Sequence, residues 1–261
     1  MEKNLGLTKL WANFAAQFID MQMKKQDLIF VLAVVAFFLP FFTIDRVYDF
    51  YTTFNHDHPF VISFIKFALL STLGEIIGLR IRKGKYSEPG FGIMPRAIVW
   101  GILGVGIKIA FIIFAAGAPN VLAVLGMEFP TAKPSDILNQ NFFATFSWLQ
   151  LLTAFTVSVT MNTFFAPVFM TIHKITDTHI LANGGTLRGF FSPIAFGRIM
   201  QNMNWKVQWD FVFKKTIPLF WYPAHTITFL LPSEYRILFA ALLGIVLGVL
   251  LSIASIKSQT N

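Results

Sequence analysis

The chain has 261 residues, of which 55% are hydrophobic and only 13% charged, and its mean hydropathy is +0.63. A soluble chain averages roughly a quarter charged residues, so an ordinary soluble architecture is excluded for most of the length. Cysteine is absent, which removes disulfides, thiolate metal sites and cysteine nucleophiles together, and the formal net charge of +8 takes its meaning from where the charges fall.

In chain order, Leu7, Leu10, Trp11, Phe14, Phe18 and Met21 recur at helical spacing and end in Lys24-Lys25. Such a stripe predicts an amphipathic helix lying in the membrane interface. No apolar h-region stands before it, which argues against a cleaved signal peptide. Apolar runs follow at 28–44, 59–79, 97–117, 142–172, 216–232 and 236–256. Backbone groups in lipid must be satisfied within their own segment, so helices are the expected spanning element. The runs are too continuous for the alternation of barrel strands. The fold class is therefore all-α: a multispan helical membrane protein of about six transmembrane helices, or five plus a half-inserted arm. Residues 1–57 read as an extension with the interfacial helix and one span, 58–256 as the helical membrane domain, and 257–261 as a tail.

Two runs depart from simple spans. Residues 142–172 exceed one crossing, which predicts either an interfacial stretch or a kink at Pro167. Residues 216–232 are short and hold Pro218 and Pro223, which suits a short span or a half-inserted arm whose freed carbonyls are completed by neighbouring protein. Trp221 and Tyr222 there fit the interfacial aromatic belt.

Lysine and arginine placement sets the expected orientation. Sixteen of the 21 fall in the N-terminal tail, the 80–96 loop, the 173–215 segment and the C-terminal tail. The opposite side holds Arg46, Lys133 and Arg236, and Lys66 and Lys108 lie inside runs. Both termini are expected in the cytoplasm, in the inner membrane if the source is bacterial. The positive charge is then topological and calls for no nucleic acid, since a nucleic-acid patch needs a soluble domain to carry it.

Polar residues at membrane depth are the usual functional suspects. Lys66, Glu75, Lys108, Gln150, Asn162 and His225 are the pathway candidates. Each has a plainer reading. Arg80 or Arg82 stands one to two turns from Glu75 and can neutralise it, Lys66 can snorkel, and His225 can be a packed histidine bonded to a neighbouring helix. Small and polar stripes accompany them: Ala97, Gly101, Gly104, Lys108 and Ala115; Ser71, Gly74, Glu75 and Gly78; Ser147, Gln150, Ala154, Ser158 and Asn162. Such stripes serve either as helix–helix glue or as the walls of a polar path.

No catalytic constellation stands out. The chain lacks a serine elbow and a phosphate loop. His56-Asp57-His58 are loop neighbours, which do not converge on a metal without further ligands. The expectation is no enzyme, no cofactor and no metal.

Three blocks resemble one family. HPFVISFIKFALLSTLGEIIG from His58 has the His-Pro that opens a first helix, with Gly74-Glu75 where the family has Gly-Asp; NTFFAPVF from Asn162 carries Phe165-Ala166-Pro167; and Trp221, Pro223, Phe229, Pro232, Tyr235, Arg236 and Leu251-Ser252 follow in C-terminal order. Together they resemble the Mpv-seventeen / peroxisomal-membrane-protein-twenty-two family over about 58–256, here as a divergent member. Tyr222 separates Trp221 from Pro223, and the family's second-helix Gly-Pro…Trp-Tyr is absent. The resemblance implies a small helical protein of mitochondrial or peroxisomal membranes, some relatives being described as channels for small solutes, and it supplies no binding residues. The expected function is thus a channel or pore-like passage for small solutes, with the lipid bilayer as partner and a homo-oligomer left open. The alternative is a non-transporting membrane protein that organises partners or lipids. An intramembrane enzyme would have only Glu75 and His225 to work with.

Overall fold

The structure, a computed structural model, describes residues 24–257, and among them every regular element is helical. The expected interfacial helix, with its stripe from Leu7 to Met21, lies outside the described residues. The chain divides into two compact units, Met1–Asp57 and His58–Asn261.

In the first unit, helix α1 (Lys25–Phe38) starts where Asp27 accepts a hydrogen bond from the Lys24 amide at 2.8 Å. An acid in the first turn also suits the positive end of the helix dipole. Pro40 cannot donate to the ladder, so α1 gives way to the short turn Pro40–Thr43 before helix α2 (Asp45–Asp57). The apolar run 28–44 is therefore a 14-residue helix and a four-residue turn. Phe41 and Tyr51 meet edge to face at 5.7 Å.

The second unit opens with α3 (Pro59–Lys83). Proline at its first turn is pre-set for a helix, and Gly84, at φ +70°, closes it by donating its amide to the Arg80 carbonyl at 2.9 Å. Helix α4 (Ile93–Val124) returns along α3. The contact is made by small residues: a Cβ on Gly101 would stand 2.4 Å from the Phe64 ring, and one on Gly104 would stand 2.5 Å from the Phe67 Cβ. α3 meets helix α8 (Ser233–Lys257) at Gly74, where a Cβ would lie 2.8 Å from the Ile245 Cα. Lipid provides no hydrophobic drive between helices, so close backbone approach and van der Waals packing take over. Gly101, Gly104, Gly74 and Gly78 thus serve as packing surfaces.

Helices α5 (Trp148–Phe164) and α6 (Ala166–Ala182) are bent by 46° at Phe165, with Pro167 in the first turn of α6. The missing proline amide accounts for the break in the ladder. Further on, helical backbone runs without interruption from Trp205 through a π-helix, Gln208–Trp221, into helix α7 (Tyr222–Leu230). A π-helix this long is unusual, since π geometry mostly appears as single-turn bulges. Ser158 of α5 donates to the Tyr222 carbonyl at 2.8 Å, and Thr163 shares a 2.7 Å hydrogen bond with the Tyr222 hydroxyl, so α5 secures the junction beside Pro223.

Among the described residues, three helices are long and apolar enough to cross a membrane: α3, α4 and the Ser233–Leu250 part of α8. The bent pair α5–α6 makes a fourth if it counts as one span. Ser63, Lys66, Ser71, Gln150, Thr153, Ser158 and Asn162 are buried among apolar side chains such as Phe67, Val157 and Phe229, while Ile65, Leu69, Ile102, Ile109, Ile112 and Ile113 on α3 and α4 are exposed. Large exposed apolar surface with polar groups held inside is compatible with an integral membrane protein.

Candidate functional site

One end of the second unit carries the loops 84–92 and 183–204, with Arg80, Arg82, Lys83, Arg188 and Arg198 in or beside them, and there α3, α4 and α6 are tied together by charge. Arg96 of α4 sits at the knot. Its Nη1 pairs with Glu75 Oε2 of α3, its Nη2 with Asp177 Oδ1 of α6, and its Nε donates to the Phe91 carbonyl at 2.7 Å. Trp100 Nε1 donates to Glu75 Oε1 at 2.7 Å, and His173 Nε2 stands 3.3 Å from the same oxygen. The side chain of Arg96 is 8% exposed and those of Glu75 and Asp177 are 19% and 18% exposed. A rigid planar fork suits this two-carboxylate arrangement better than an ammonium would.

The expected partner of Glu75 is corrected by this arrangement. Arg82 instead donates to Ser252 Oγ at 2.6 Å, and the Arg80 guanidinium lies 5.8 Å over the Tyr86 ring. Arg96 reaches Glu75 because the 84–92 turn folds tightly onto the end of α6. Gly92 has φ +71°, and a Cβ there would meet Ile180 at 2.7 Å, so only glycine fits.

A cavity of about 660 Å³ extends from this knot into the bundle. On α3 its lining runs from Phe67 to Lys83, and on α4 from Arg96 to Phe111; nothing before Phe67 or beyond Phe111 on those helices takes part. Lys83, Lys174, Arg96, Glu75 and Asp177 form its charged end. Phenylalanines make much of its wall; the inner end, marked by Phe111, holds Trp221 and His225, and Ser71 and Asn162 also line the cavity. Trp221 and His225 stack with ring centroids 5.1 Å apart and planes at 20°, and Phe111 meets His225 edge-on at 5.5 Å.

Besides Asp177 Oδ1, which is ion-paired with Arg96, three polar atoms on this lining are buried without a hydrogen-bond partner: Ser71 Oγ, Trp221 Nε1 and His225 Nδ1. A buried polar group normally finds a partner, because leaving it bare costs about 1–3 kcal/mol. Ser71 is the more telling because a helical serine can bond back to its own helix, as Ser63 does to the Pro59 carbonyl at 2.6 Å.

Of the six sequence candidates, Glu75, Asn162 and His225 line the cavity. Asn162 also donates to the Ser158 carbonyl at 2.8 Å. Lys66, Lys108 and Gln150 are not part of the lining. Lys66 is buried and interacts electrostatically with Lys108, which in turn senses Arg236. Gln150 is fully buried and holds the preceding turn through a 2.8 Å bond from Nε2 to the Gln140 carbonyl. Trp221, expected in the interfacial belt, is partly exposed, with its indole N–H buried.

Arg96, Trp100, His173 and Asp177 escape sequence reasoning because each sits near a span end, where polar residues are ordinary. The Arg236 guanidinium is also missed: it is buried and donates to the Leu138 and Leu231 carbonyls at 2.7 and 2.9 Å.

Comparison of the chain with protein-family models, with curated proteins and with solved structures finds no match.

Proposed function

We propose that the chain is a multispan membrane protein of about six helical segments, basic end toward the cytoplasm, whose cavity is the vestibule of a passage for small solutes. The observation that carries this reading is the cavity itself: about 660 Å³, reached past charged residues and bearing partnerless polar atoms at its inner end. That volume falls in the range of small-molecule sites, about 300–1,000 Å³. The family resemblance of the three sequence blocks points the same way.

The passage is closed at its inner end in this conformation. Phe67 and Phe111 are 2% and 5% exposed, and Phe111 packs on Phe229 at 4.9 Å. The electrostatic neighbours Lys66, Lys108 and Arg236 fall outside the lining, so a solute would reach them only after Phe111 moves. The role is non-catalytic: the Glu75 carboxylate is held by Arg96, Trp100 and His173.

The test is solute efflux from proteoliposomes, comparing the wild-type chain with Phe111→Ala. Efflux of small polar solutes above the protein-free rate, raised further by Phe111→Ala, is the expected result. Rates equal to protein-free vesicles for both proteins would overturn passage and favour the non-transporting role.

A further inference from the structure

We infer that the inner end of the cavity binds the carbonyl oxygen of a flat, largely apolar ring compound of the quinone class. The inference deepens the proposed function and rests on its reading of the same cavity as a solute site. Its footing is the set of three buried, partnerless polar atoms that share one lining: Ser71 Oγ, Trp221 Nε1 and His225 Nδ1.

The chemistry of those atoms selects the ligand group. An indole N–H only donates, and a serine hydroxyl and an imidazole nitrogen can each donate as well. A ligand oxygen that accepts is a group that each of the three can serve. A carboxylate would also accept, but it would bring a charge deep into the bundle. The cavity's cations are already engaged, Arg82 with Ser252, Lys83 with Glu88, Arg96 with Glu75 and Asp177, and Lys174 with Asp177, and Lys66 and Lys108 are not on its lining. An uncompensated buried charge costs far more than a neutral carbonyl, so the neutral acceptor is favoured.

The walls select the rest of the molecule. Trp221 and His225 present a stacked pair, Phe111 stands edge-on to His225, and Phe67 and Phe169 extend the apolar lining. Aromatic surfaces of this kind gain most from a planar ring laid offset or edge-on against them. Ser71 can point into this space because the facing residue on α8 is Gly244, where an added Cβ would lie 3.3 Å from the Ser71 Oγ.

The experiment uses the full chain in lipid nanodiscs and equilibrium dialysis, with empty nanodiscs measuring partition into lipid. The probes are methylnaphthoquinone and methylnaphthalene, the same ring system with and without carbonyl oxygens. Saturable binding of the quinone is expected, with the hydrocarbon at least about tenfold weaker. Ser71→Ala and Trp221→Phe should each weaken quinone binding by roughly three- to tenfold, the worth of one hydrogen bond, while hydrocarbon binding is unchanged. Both variants keep the helix and the ring stack, and their melting in detergent confirms the fold. Equal binding of the two probes, quinone uptake no greater than in empty discs, or indifference to both substitutions would overturn the inference. Quinone binding with protein-free efflux rates would overturn passage alone; efflux without quinone binding would overturn the ligand class alone.

Discussion

Arg96 and Glu75, 21 residues apart on neighbouring helices, form an ion pair that also reaches Asp177 on a third helix. Removing the guanidinium leaves two poorly exposed carboxylates facing each other. Arg96→Leu should therefore destabilise the protein by about 3–5 kcal/mol, the range for breaking a buried pair from one side. Arg96→Lys should recover only part of this, because an ammonium cannot fork to two carboxylates while also holding the Phe91 carbonyl. Thermal unfolding in a fixed detergent checks both, and equal melting of Arg96→Lys and wild type would show the fork to be dispensable.

Gly104 and Gly106 lie two residues apart on α4 in opposite surroundings. A Cβ on Gly104 would stand 2.5 Å from the Phe67 Cβ, whereas one on Gly106 would have no atom within 4 Å. Gly104→Ala should cost about 1–3 kcal/mol through overpacking. Gly106→Ala should be neutral or stabilise by up to about 1 kcal/mol, since alanine is the better helix former. The same melting assay decides, and similar values for the two would contradict the α3–α4 contact.

Ser158 donates to the Tyr222 carbonyl from a position with no solvent exposure. Ser158→Ala should cost about 0.5–1.5 kcal/mol, the net worth of one hydrogen bond, since the Tyr222 carbonyl keeps the Thr226 hydroxyl at 2.6 Å. Hydrogen exchange should rise locally through 218–226, around the π-to-α junction. Uniform protection in the variant would mean that α5 does not secure this turn.

The sequence makes the helical class legible through the long apolar runs, and the kink near Pro167 through its missing amide. Its small-residue stripes mark the surfaces where α3, α4 and α8 touch, though spacing alone cannot separate glue from a path. The structure resolves that choice at Gly101 and Gly104, where ring atoms fill the space, whereas Gly74 both packs on Ile245 and lines the cavity. Among the site residues, Glu75, Asn162 and His225 stand out in sequence because they are polar within apolar runs. Arg96 and Asp177 do not, because they sit at helix ends where charges are common. The place of Trp221 on the cavity lining is not legible, because it depends on the π-helix Gln208–Trp221, which the residue pattern does not announce. The pairing of Glu75 with Arg96 rather than Arg82 depends on the 84–92 turn, a long-range relation that helical periodicity does not encode.

Whether solutes travel through this cavity can be measured directly, because the chain holds no cysteine. Asn162→Cys protein, reconstituted in liposomes, is treated with a small maleimide from the basic side, and solute efflux is recorded before and after. The thiol should react and efflux should fall to the protein-free rate, while the unsubstituted chain is unaffected by the reagent. A thiol that stays unreactive, or full labelling with efflux unchanged, would contradict passage through this cavity.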